Sequence, residues 1–380
     1  MKIDYSNQGH LKLRLLSEGV NLDAKTRQEV GKRYAENRYP YGRSNKESVN
    51  LLGLPSEILL PNDVVVGVHI REKSPWSIRI NRSREMMLCL KDKSISSVSF
   101  SPRPGFFDKE LPDGTLCQRV AVMYGLYSLS LFNRGWCDYF FIGKQCKFCS
   151  LNPTRDDVGK GNVTTILPEV GREAAKIAFM HELKIKHVDY CAGAHKNNDL
   201  GVKLQIDLIR EVKKVSPLGI RHHILTIPPD DWKLLVDLHK VGIDTIAFNI
   251  EVYDRKLFSV ICPGKEKIYG YDRYFEALQQ AKEVFGFRNV YCGFVGGLEP
   301  IESIVKGIVD VAQRGFTPAI NIFHADPESV FMRRPHPSTE YVWEMVQAQT
   351  AMYRKYKFYP IFPGGTRNSL DTEVYRGFFS

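Results

Sequence analysis

The sequence lacks a hydrophobic run long enough to cross a membrane. Its longest apolar runs, such as Ile58–Pro61 and Val64–Val68, fall far short of the roughly 20 residues that a spanning helix needs. The first residues, Met1–Tyr5, also lack the apolar core of a secretory signal peptide. These absences predict a soluble, cytoplasmic protein.

Strong compositional bias is absent as well. Hydrophobic residues make up 43% and charged residues 25% of the 380 positions. This is ordinary globular composition, and it excludes a disordered, collagen-like or disulfide-scaffold protein. A chain of this length can bury a full core, and it exceeds the usual size of a single domain.

The charged residues form no block of five or more of one sign. Lys and Arg number 53 against 43 Asp and Glu, which gives a net charge of +10. A net positive field favours anionic partners such as nucleotides, phosphorylated metabolites, nucleic acid or an acidic carrier protein. Because the excess is spread along the chain, a mildly basic enzyme is the preferred interpretation, and nucleic-acid binding is the weaker alternative.

A change of pattern near residue 125 divides the chain into three predicted parts. Residues 1–124 are irregular, with strand candidates at Ser56–Val68, Trp76–Ile80 and Ile95–Phe100, and they predict an N-terminal α+β accessory domain. Residues 125–335 alternate strands with amphipathic helices. Residues 336–380 add a C-terminal helix and a glycine-rich tail. The tail could cap the mouth of the core or bind an anion, and an ordinary surface turn is the preferred interpretation.

Six strand–helix units follow one another after residue 125. The predicted strands are 126–132, 187–191, 220–227, 243–250, 290–295 and 318–323. The predicted helices are 168–183, 200–215, 230–241, 271–285, 301–314 and 338–356. Such alternation demands right-handed crossovers and a parallel sheet. The predicted fold class is therefore α/β, a partial (β/α)6 TIM-like barrel, with a flat doubly wound sheet as the competing architecture. Ligands lie at the C-terminal ends of the strands in both.

Three of the eight cysteines follow the first strand of this series. Cys137, Cys146 and Cys149 have the spacing Cys-x8-Cys-x2-Cys. Soft thiolate ligands select iron–sulfur or zinc sites, and three of them suit a four-iron cluster with one iron left open. The alternative is a closed structural zinc site with a histidine as fourth ligand. The nearest histidines, His69 and His181, are too distant in sequence to complete a compact knuckle, so the open cluster is favoured.

The other five cysteines are predicted to bind no metal. Cys191 and Cys292 sit on apolar strands and are interpreted as core residues. Cys89, Cys117 and Cys262 are isolated in the sequence. Because no second close pair occurs, an auxiliary cluster is not expected.

With its six units and the Cys-x-Phe-Cys ending after the first strand, the sequence resembles the radical S-adenosylmethionine superfamily. The common cluster spacing in that family is Cys-x3-Cys-x2-Cys, so the first gap here is longer. The resemblance covers roughly residues 125–335. It implies that Cys137, Cys146 and Cys149 hold a [4Fe–4S] cluster whose open iron is chelated by S-adenosylmethionine.

The resemblance also implies a set of contacts to S-adenosylmethionine. Gly193 and Ala194 after the second strand would receive the methionine amino group, although only the glycine of the family's Gly-Gly-Glu-like turn is kept. Asn249 and Glu251 end the fourth strand, where a carboxylate binds the ribose hydroxyls, and Arg255 is the candidate for the methionine carboxylate. Further contacts, to the adenine, are implied for Gly293, Gly296, Gly297 and Asn321.

The activity that the resemblance implies is reductive cleavage of S-adenosylmethionine by an oxygen-sensitive enzyme. One electron from reduced flavodoxin or ferredoxin would produce a 5′-deoxyadenosyl radical, which takes a hydrogen atom from an anionic small molecule or a peptide. A barrel interior that excludes water is needed for such chemistry. Two alternatives remain open, an RNA-modifying or RNA-binding enzyme that uses its basic surface and a zinc-stabilised barrel without radical chemistry.

Overall fold

A computed structural model of the chain describes residues 3–23, 26, 57–67, 69–153, 165–326, 328–361 and 366–380. Two features expected from the sequence lie partly outside these residues. They are the ends of the strand predicted at Ser56–Val68 and the first four residues, 362–365, of the glycine-rich tail. No helix among the described residues is long and apolar enough to cross a membrane.

In the described residues of the N-terminal part, helix α1 (Gln8–Glu18) accompanies two small sheets, as the predicted α+β accessory domain requires. The helix begins at Asn7, whose side chain accepts hydrogen bonds from two backbone amides of the first turn. The first sheet has the strand order β1-β4-β5-β6 and the second has the order β3-β2-β7. Their strands are β1 (Asn21–Leu22), β2 (Glu57–Leu60), β3 (Val64–Gly67), β4 (Trp76–Ile80), β5 (Met86–Leu90), β6 (Lys93–Ser97) and β7 (Ser99–Phe100).

A curled seven-stranded sheet forms the centre of the described structure. Its order is β14-β13-β12-β11-β10-β9-β8, in which β9 to β14 run parallel and β8 is antiparallel to β9. The strands are β8 (Ala121–Tyr124), β9 (Ser128–Arg134), β10 (His187–Ala192), β11 (Arg221–Leu225), β12 (Thr245–Ala247), β13 (Val290–Gly296) and β14 (Thr317–Ile322). The six strands predicted from the sequence are confirmed in type and order, and the barrel is partial.

Among the described residues, helices lie between successive parallel strands and after the last strand. Those between strands are α2 (Asp138–Phe141), α3 (Pro168–His181), α4 (Asn198–Lys213), α5 (Lys233–Lys240), α6 (Arg255–Ile261), α7 (Pro263–Ile268), α8 (Tyr271–Phe285) and α9 (Ile301–Gln313), and those after the last strand are α10 (Thr339–Tyr356) and α11 (Asp371–Tyr375). The buried residues of α8 recur every three or four positions, at Tyr274, Ala277, Leu278 and Ala281. This spacing turns one apolar stripe of the helix toward the sheet. The six predicted helices are confirmed as α3, α4, α5, α8, α9 and α10.

The N-terminal sheet and the tail together cover the open side of the partial barrel. Ile322 N, in the edge strand β14, donates to Asn368 O of the tail at 2.8 Å. The adjoining tail carbonyl of Arg367 accepts from Gly67 N, at the end of β3, at 2.9 Å. At the other edge, Glu57 of β2 accepts from Gly125 N, just after β8, at 3.0 Å. These contacts link the two edges of the sheet through β2, β3 and the tail.

The division of the chain at residues 124/125 and 335/336 stays a proposal. Strand β8 already pairs with β9, so the central sheet begins before residue 125. Helix α10, from the third predicted part, packs against α9 of the second and α1 of the first. The three parts share one continuous apolar core.

Candidate functional site

Three accessible thiols lie on one loop at the C-terminal end of β9. Cys137 precedes α2, and Cys146 and Cys149 follow it. All three are partly accessible. The other five cysteines are buried, namely Cys89, Cys117, Cys191, Cys262 and Cys292. The segment from Cys137 to Cys149, here named the cysteine loop, therefore lies where parallel α/β sheets bind ligands.

Backbone contacts hold Cys137 against the turn that follows β10. The Asn152 side chain accepts from Cys137 N at 2.8 Å and donates to Cys137 O at 3.1 Å. Asp138 N donates to Ala194 O at 2.8 Å. A Cβ on Gly193 would lie 2.0 Å from the carbonyl oxygen that precedes Cys137, so this approach requires glycine. Gly193 and Ala194 thus pack directly on the cysteine loop.

The other side of the cysteine loop rests on α6, α7 and the segment after β14. Lys147 N donates to Ile261 O at 2.9 Å, and Phe331 N donates to Lys147 O at 2.9 Å. A Cβ on Gly264 would lie 2.5 Å from Lys144 O, which shows how closely α7 approaches the loop. Main-chain contacts on both sides therefore fix the positions of the three thiols, as a ligand site requires.

The three thiols influence one another and meet a fourth. Burial raises the pKa of Cys137 to about 11 and that of Cys149 well above its ordinary value, and in both the charge of Cys146 adds to the rise. The pKa of Cys146 is lowered, chiefly because the Cys262 thiol hydrogen-bonds to it. Cys262 is isolated in the sequence, so spacing gave no signal of this contact. Because metals bind thiolates, loading this site releases protons.

A buried ion pair accompanies the cysteine loop. Lys265 Nζ lies 2.7 Å from Glu251 Oε1, with side-chain exposures of 8% and 13%, and it donates to Asn249 O at 2.6 Å. Burial lowers the pKa of Lys265, but the charges of Glu251, Tyr274, Cys146 and Cys262 together outweigh burial, so the pKa stands well above its ordinary value. The ammonium therefore stays charged and opposes the negative charge of nearby thiolates.

Lys265 is the site residue that the sequence did not indicate. It lies in the short helix α7, where a lysine is ordinarily a solvated surface residue. The structure pairs it with Glu251, the residue expected at the ribose. Arg255, expected at the methionine carboxylate, is ion-paired with Asp272 at the surface, with 57% of its side chain exposed.

The glycines of β13 have different neighbours. A Cβ on Gly293 would lie 2.1 Å from Asn249 Oδ1, so the strand and the Asn249 side chain meet in the barrel interior. A Cβ on Gly296 would meet Met345 Sδ at 2.6 Å, which turns this position toward α10. Gly297 has a φ of +105°, which favours glycine, and packs against Pro337.

Asn321 lies on the inner face of β14. It pairs in register with Val295 of β13, and it is exposed although it belongs to a strand of the central sheet. Asn249, Gly293 and Asn321 therefore reach the barrel interior, whereas Gly296 faces the helix layer. Their contacts to S-adenosylmethionine stay predictions.

A zinc ion and a four-iron cluster place different demands on the three thiols. Within the described segments, no three His, Cys, Asp or Glu side chains converge so that they could ligate one metal ion. A structural zinc site needs such convergence. A four-iron cubane does not, because each thiolate binds a different iron. The cysteine loop carries three partly accessible cysteines near the buried Lys265 ammonium and could hold such a cluster.

Sequence comparison finds a relative but no family model. No protein-family model matches the chain. The bacteriochlorophyllide c C-7(1)-hydroxylase of Chlorobaculum limnaeum is 28% identical over 245 residues. The match covers 58% of this chain and 58% of the hydroxylase, so the chain spans little more than half the length of that relative.

Structure comparison finds several similar solved proteins. Methylornithine synthase is 18% identical, with a TM-score of 0.49 over 61% of this chain and 64% of that one. Coproporphyrinogen III oxidase from Escherichia coli, a radical SAM enzyme, is 15% identical with a TM-score of 0.39 over 63% and 55%. A radical SAM methyltransferase from Sphaerobacter thermophilus is 13% identical with a TM-score of 0.44 over 80% and 77%.

Proposed function

We propose that this chain, which is similar to radical S-adenosylmethionine enzymes, binds a [4Fe–4S] cluster and S-adenosylmethionine and removes a hydrogen atom from a carbon of its substrate. One observation carries the proposal: Cys137, Cys146 and Cys149 lie together, partly accessible, on an anchored loop at the C-terminal end of the first parallel strand. When bound and reduced, such a cluster supplies one electron that cleaves the sulfonium and yields a 5′-deoxyadenosyl radical.

The chain's own residues have three tasks in this proposal. The cysteine thiolates hold three irons, and the contacts from Asn152 and Gly193 keep the loop in place. Lys265 offsets part of the negative charge that the thiolates and the cluster bring into a buried region. The barrel interior keeps water from the reacting carbon.

The substrate and the roles of Glu251, Arg255 and Asn321 belong to the proposal as well. Glu251 can reach the ribose only if its ion pair with Lys265 rearranges or if the carboxylate binds Lys265 and the ribose together. Lys265 is better placed than Arg255 to meet the methionine carboxylate, because it is buried next to the cysteine loop. The curated relative is named for hydroxylation at a carbon atom, which replaces a carbon–hydrogen bond and so agrees with hydrogen removal.

The electron donor we propose is reduced flavodoxin or ferredoxin in the cytoplasm. The cysteine loop exposes the side chains of Phe141 and Ile142, which are 65% and 52% accessible, and Lys144 of the same loop is exposed too. An apolar patch with a basic rim suits an acidic electron carrier. All eight cysteines are unpaired, as expected in a reducing compartment. Lys144→Glu should slow electron delivery from flavodoxin while leaving the dithionite-driven rate unchanged.

Anaerobic reconstitution tests the proposed function. Protein supplied with iron and sulfide should bind about four irons per chain and, with dithionite and S-adenosylmethionine, form 5′-deoxyadenosine. Replacing Cys137, Cys146 or Cys149 by Ala should abolish both the iron–sulfur absorbance and the product. Cys117→Ala, at a buried thiol away from the loop, is the matched control and should retain both.

Two results would refute this function. One is a fully loaded and reduced protein that forms no 5′-deoxyadenosine. The other is stoichiometric zinc, and no iron, in protein purified without air, which would favour the zinc-stabilised barrel.

A further inference from the structure

Two buried cysteines that look alike in the sequence occupy different surroundings. Cys292 lies on β13 with an exposure of 0% and belongs to the continuous apolar core. Cys191 lies on β10 and is also buried, with an exposure of 5%, but it is not part of that core. Both residues are buried, as expected of core cysteines, but only Cys292 joins the continuous apolar cluster.

The alternation of β10 places Cys191 inside the barrel. Val188 and Tyr190 belong to the apolar core beneath the helices. Successive residues of a strand point to opposite faces, so Asp189 and Cys191 face the interior. The pairing of β10 with its neighbours sets Ser130 beside Asp189, on the same inner face.

Asp189 holds the Cys191 thiol. Cys191 Sγ donates to Asp189 Oδ2 at 3.0 Å, and Ser130 Oγ donates to the same oxygen at 3.5 Å. Asp189 Oδ1 has no hydrogen-bond partner, although only 6% of the residue is exposed. A buried carboxyl oxygen without a partner is costly, so Asp189 Oδ1 is available to a further hydrogen-bond donor that enters the interior.

The thiol keeps its proton in this setting. Burial raises the pKa of Cys191 well above its ordinary value, and the charge of Asp189 adds to the rise. Burial also raises the pKa of Asp189 itself, to about 6. The S–H group is therefore intact at neutral pH, and the carboxyl orients it.

Cys191 is also near the cysteine loop. It precedes Gly193 by two residues, and the Gly193 backbone packs against Trp136 and Cys137, with an added Cβ only 2.8 Å from Cys137 N. The inner-face thiol thus lies at the end of the barrel where the cysteine loop sits. Among the described cysteines, Cys191 combines an inward position, a retained proton and a nearby carboxyl.

We propose that Cys191 is a hydrogen-atom donor inside the barrel and that Asp189 is its positioning residue. The inference rests on the proposed function, which supplies a carbon radical at this end of the barrel. An S–H bond is weaker than the C–H bond that forms, so the transfer runs downhill. The Cys191 S–H bond breaks, a C–H bond forms on the radical carbon, and Cys191 becomes a thiyl radical. One electron from the reduced carrier and one proton from solvent restore the thiol.

Turnover in D2O without substrate tests the hydrogen-atom transfer. A thiol exchanges its proton for deuterium, whereas carbon-bound hydrogens of the protein do not. With S-adenosylmethionine, dithionite and no added thiol, wild-type protein should form 5′-deoxyadenosine that carries one deuterium. Cys191→Ser keeps a hydrogen-bond donor to Asp189 but has an O–H bond too strong to give up its atom, so the deuterium should be lost. Cys292→Ala is the matched control and should retain it.

The outcomes separate this inference from the function on which it rests. Unlabelled 5′-deoxyadenosine from wild type, or equal labelling in Cys191→Ser, would overturn the donor role and leave the proposed function intact. Absence of 5′-deoxyadenosine from every variant would overturn the proposed function, and this inference with it.

Infrared spectroscopy of the protein without cluster gives a readout that does not depend on activity. The wild type minus Cys191→Ser difference spectrum should show an S–H stretch at lower frequency than that of a free thiol, because the carboxyl accepts its hydrogen bond. Asp189→Asn should shift the band to higher frequency, since a neutral amide oxygen accepts more weakly. A band at the free-thiol position in wild type would refute the positioning role of Asp189.

Discussion

Gly193 illustrates how a single residue without a side chain can set the position of a ligand loop. Its backbone touches the carbonyl of Trp136 and the amide of Cys137, so a Cβ has no space. The neighbours are main-chain atoms and cannot swing away as a side chain would. The site therefore depends on this glycine through packing, whatever ligand its own carbonyl meets.

Gly193→Ala should displace the cysteine loop. We expect a loss of stability of about 1–3 kcal/mol, as for other overpacked sites, and a lower iron content after reconstitution. Urea unfolding and iron analysis would measure the two effects. Gly201→Ala, within α4, is the control, because the added methyl group would meet only the side chain of His195. Unchanged iron content in Gly193→Ala would contradict the anchoring role.

Lys265 is the second residue on which the site depends. Lys265→Met would leave Glu251 buried without its counter-ion, and removal of one partner from a buried pair costs about 3–5 kcal/mol. The double variant Lys265→Met/Glu251→Leu should recover part of this loss. Chemical denaturation of Lys265→Met, Glu251→Leu and the double variant completes the cycle. A double variant no more stable than Lys265→Met would show that Glu251 tolerates the missing charge.

At the scale of elements, the short helix α11 connects the tail to the barrel. Asp371 at its start accepts from Gln349 Nε2 of α10 at 2.7 Å and from Ile320 N of β14 at 3.3 Å. Burial raises the pKa of this carboxyl to about 7, against the opposing effect of these hydrogen bonds and of Lys12. One titratable group thus joins three elements.

The raised pKa of Asp371 predicts a pH dependence of stability. The folded state binds the proton more tightly than the unfolded state, whose Asp titrates near about 3.9. Between about pH 4 and the folded pKa, this group should lower the free energy of unfolding by about 1.4 kcal/mol for each unit of rising pH. Asp371→Asn should remove that slope, because Asn keeps an acceptor oxygen but does not ionise. Urea unfolding of both proteins across this range checks it, and parallel curves would contradict it.

The whole molecule is tied together near its two ends. Lys12 of α1 lies 2.9 Å from Glu373 of α11 and donates to Thr366 O at 2.6 Å, and both charged side chains are fully buried. The N-terminal part, the tail and the open side of the barrel therefore meet in one region. Stability of the barrel edge should depend on residues more than 350 positions apart.

Lys12→Met should destabilise the entire described structure, not only α1. The unpaired Glu373 should cost about 3–5 kcal/mol, and the unfolding transition should remain single because the parts share one core. Arg79→Met provides the comparison, since Arg79 and Asp92 form a pair with 44% and 94% exposure, and such surface pairs contribute about 1 kcal/mol or less. A separate early transition for residues 3–100 would show that the parts unfold independently.

The sequence by itself determined the α/β class, the six strand–helix units and the cysteine motif at the end of the first strand. These features are local. Hydrophobic periodicity specifies strands and helices over 5 to 18 residues, and the spacing of Cys137, Cys146 and Cys149 places three thiols on one loop. The order of parallel strands then follows from right-handed crossovers.

Only the tertiary structure decided which distant residues meet. Lys265 reaches Glu251, Cys262 reaches Cys146, and Cys191 separates from Cys292 because strand register turns one inward and the other outward. The tail and β2 also meet across the open side of the barrel, where Arg367 lies 3.8 Å from Glu57. Such contacts depend on register, crossover geometry and packing summed over the whole chain, and sequence spacing carries no measure of those quantities.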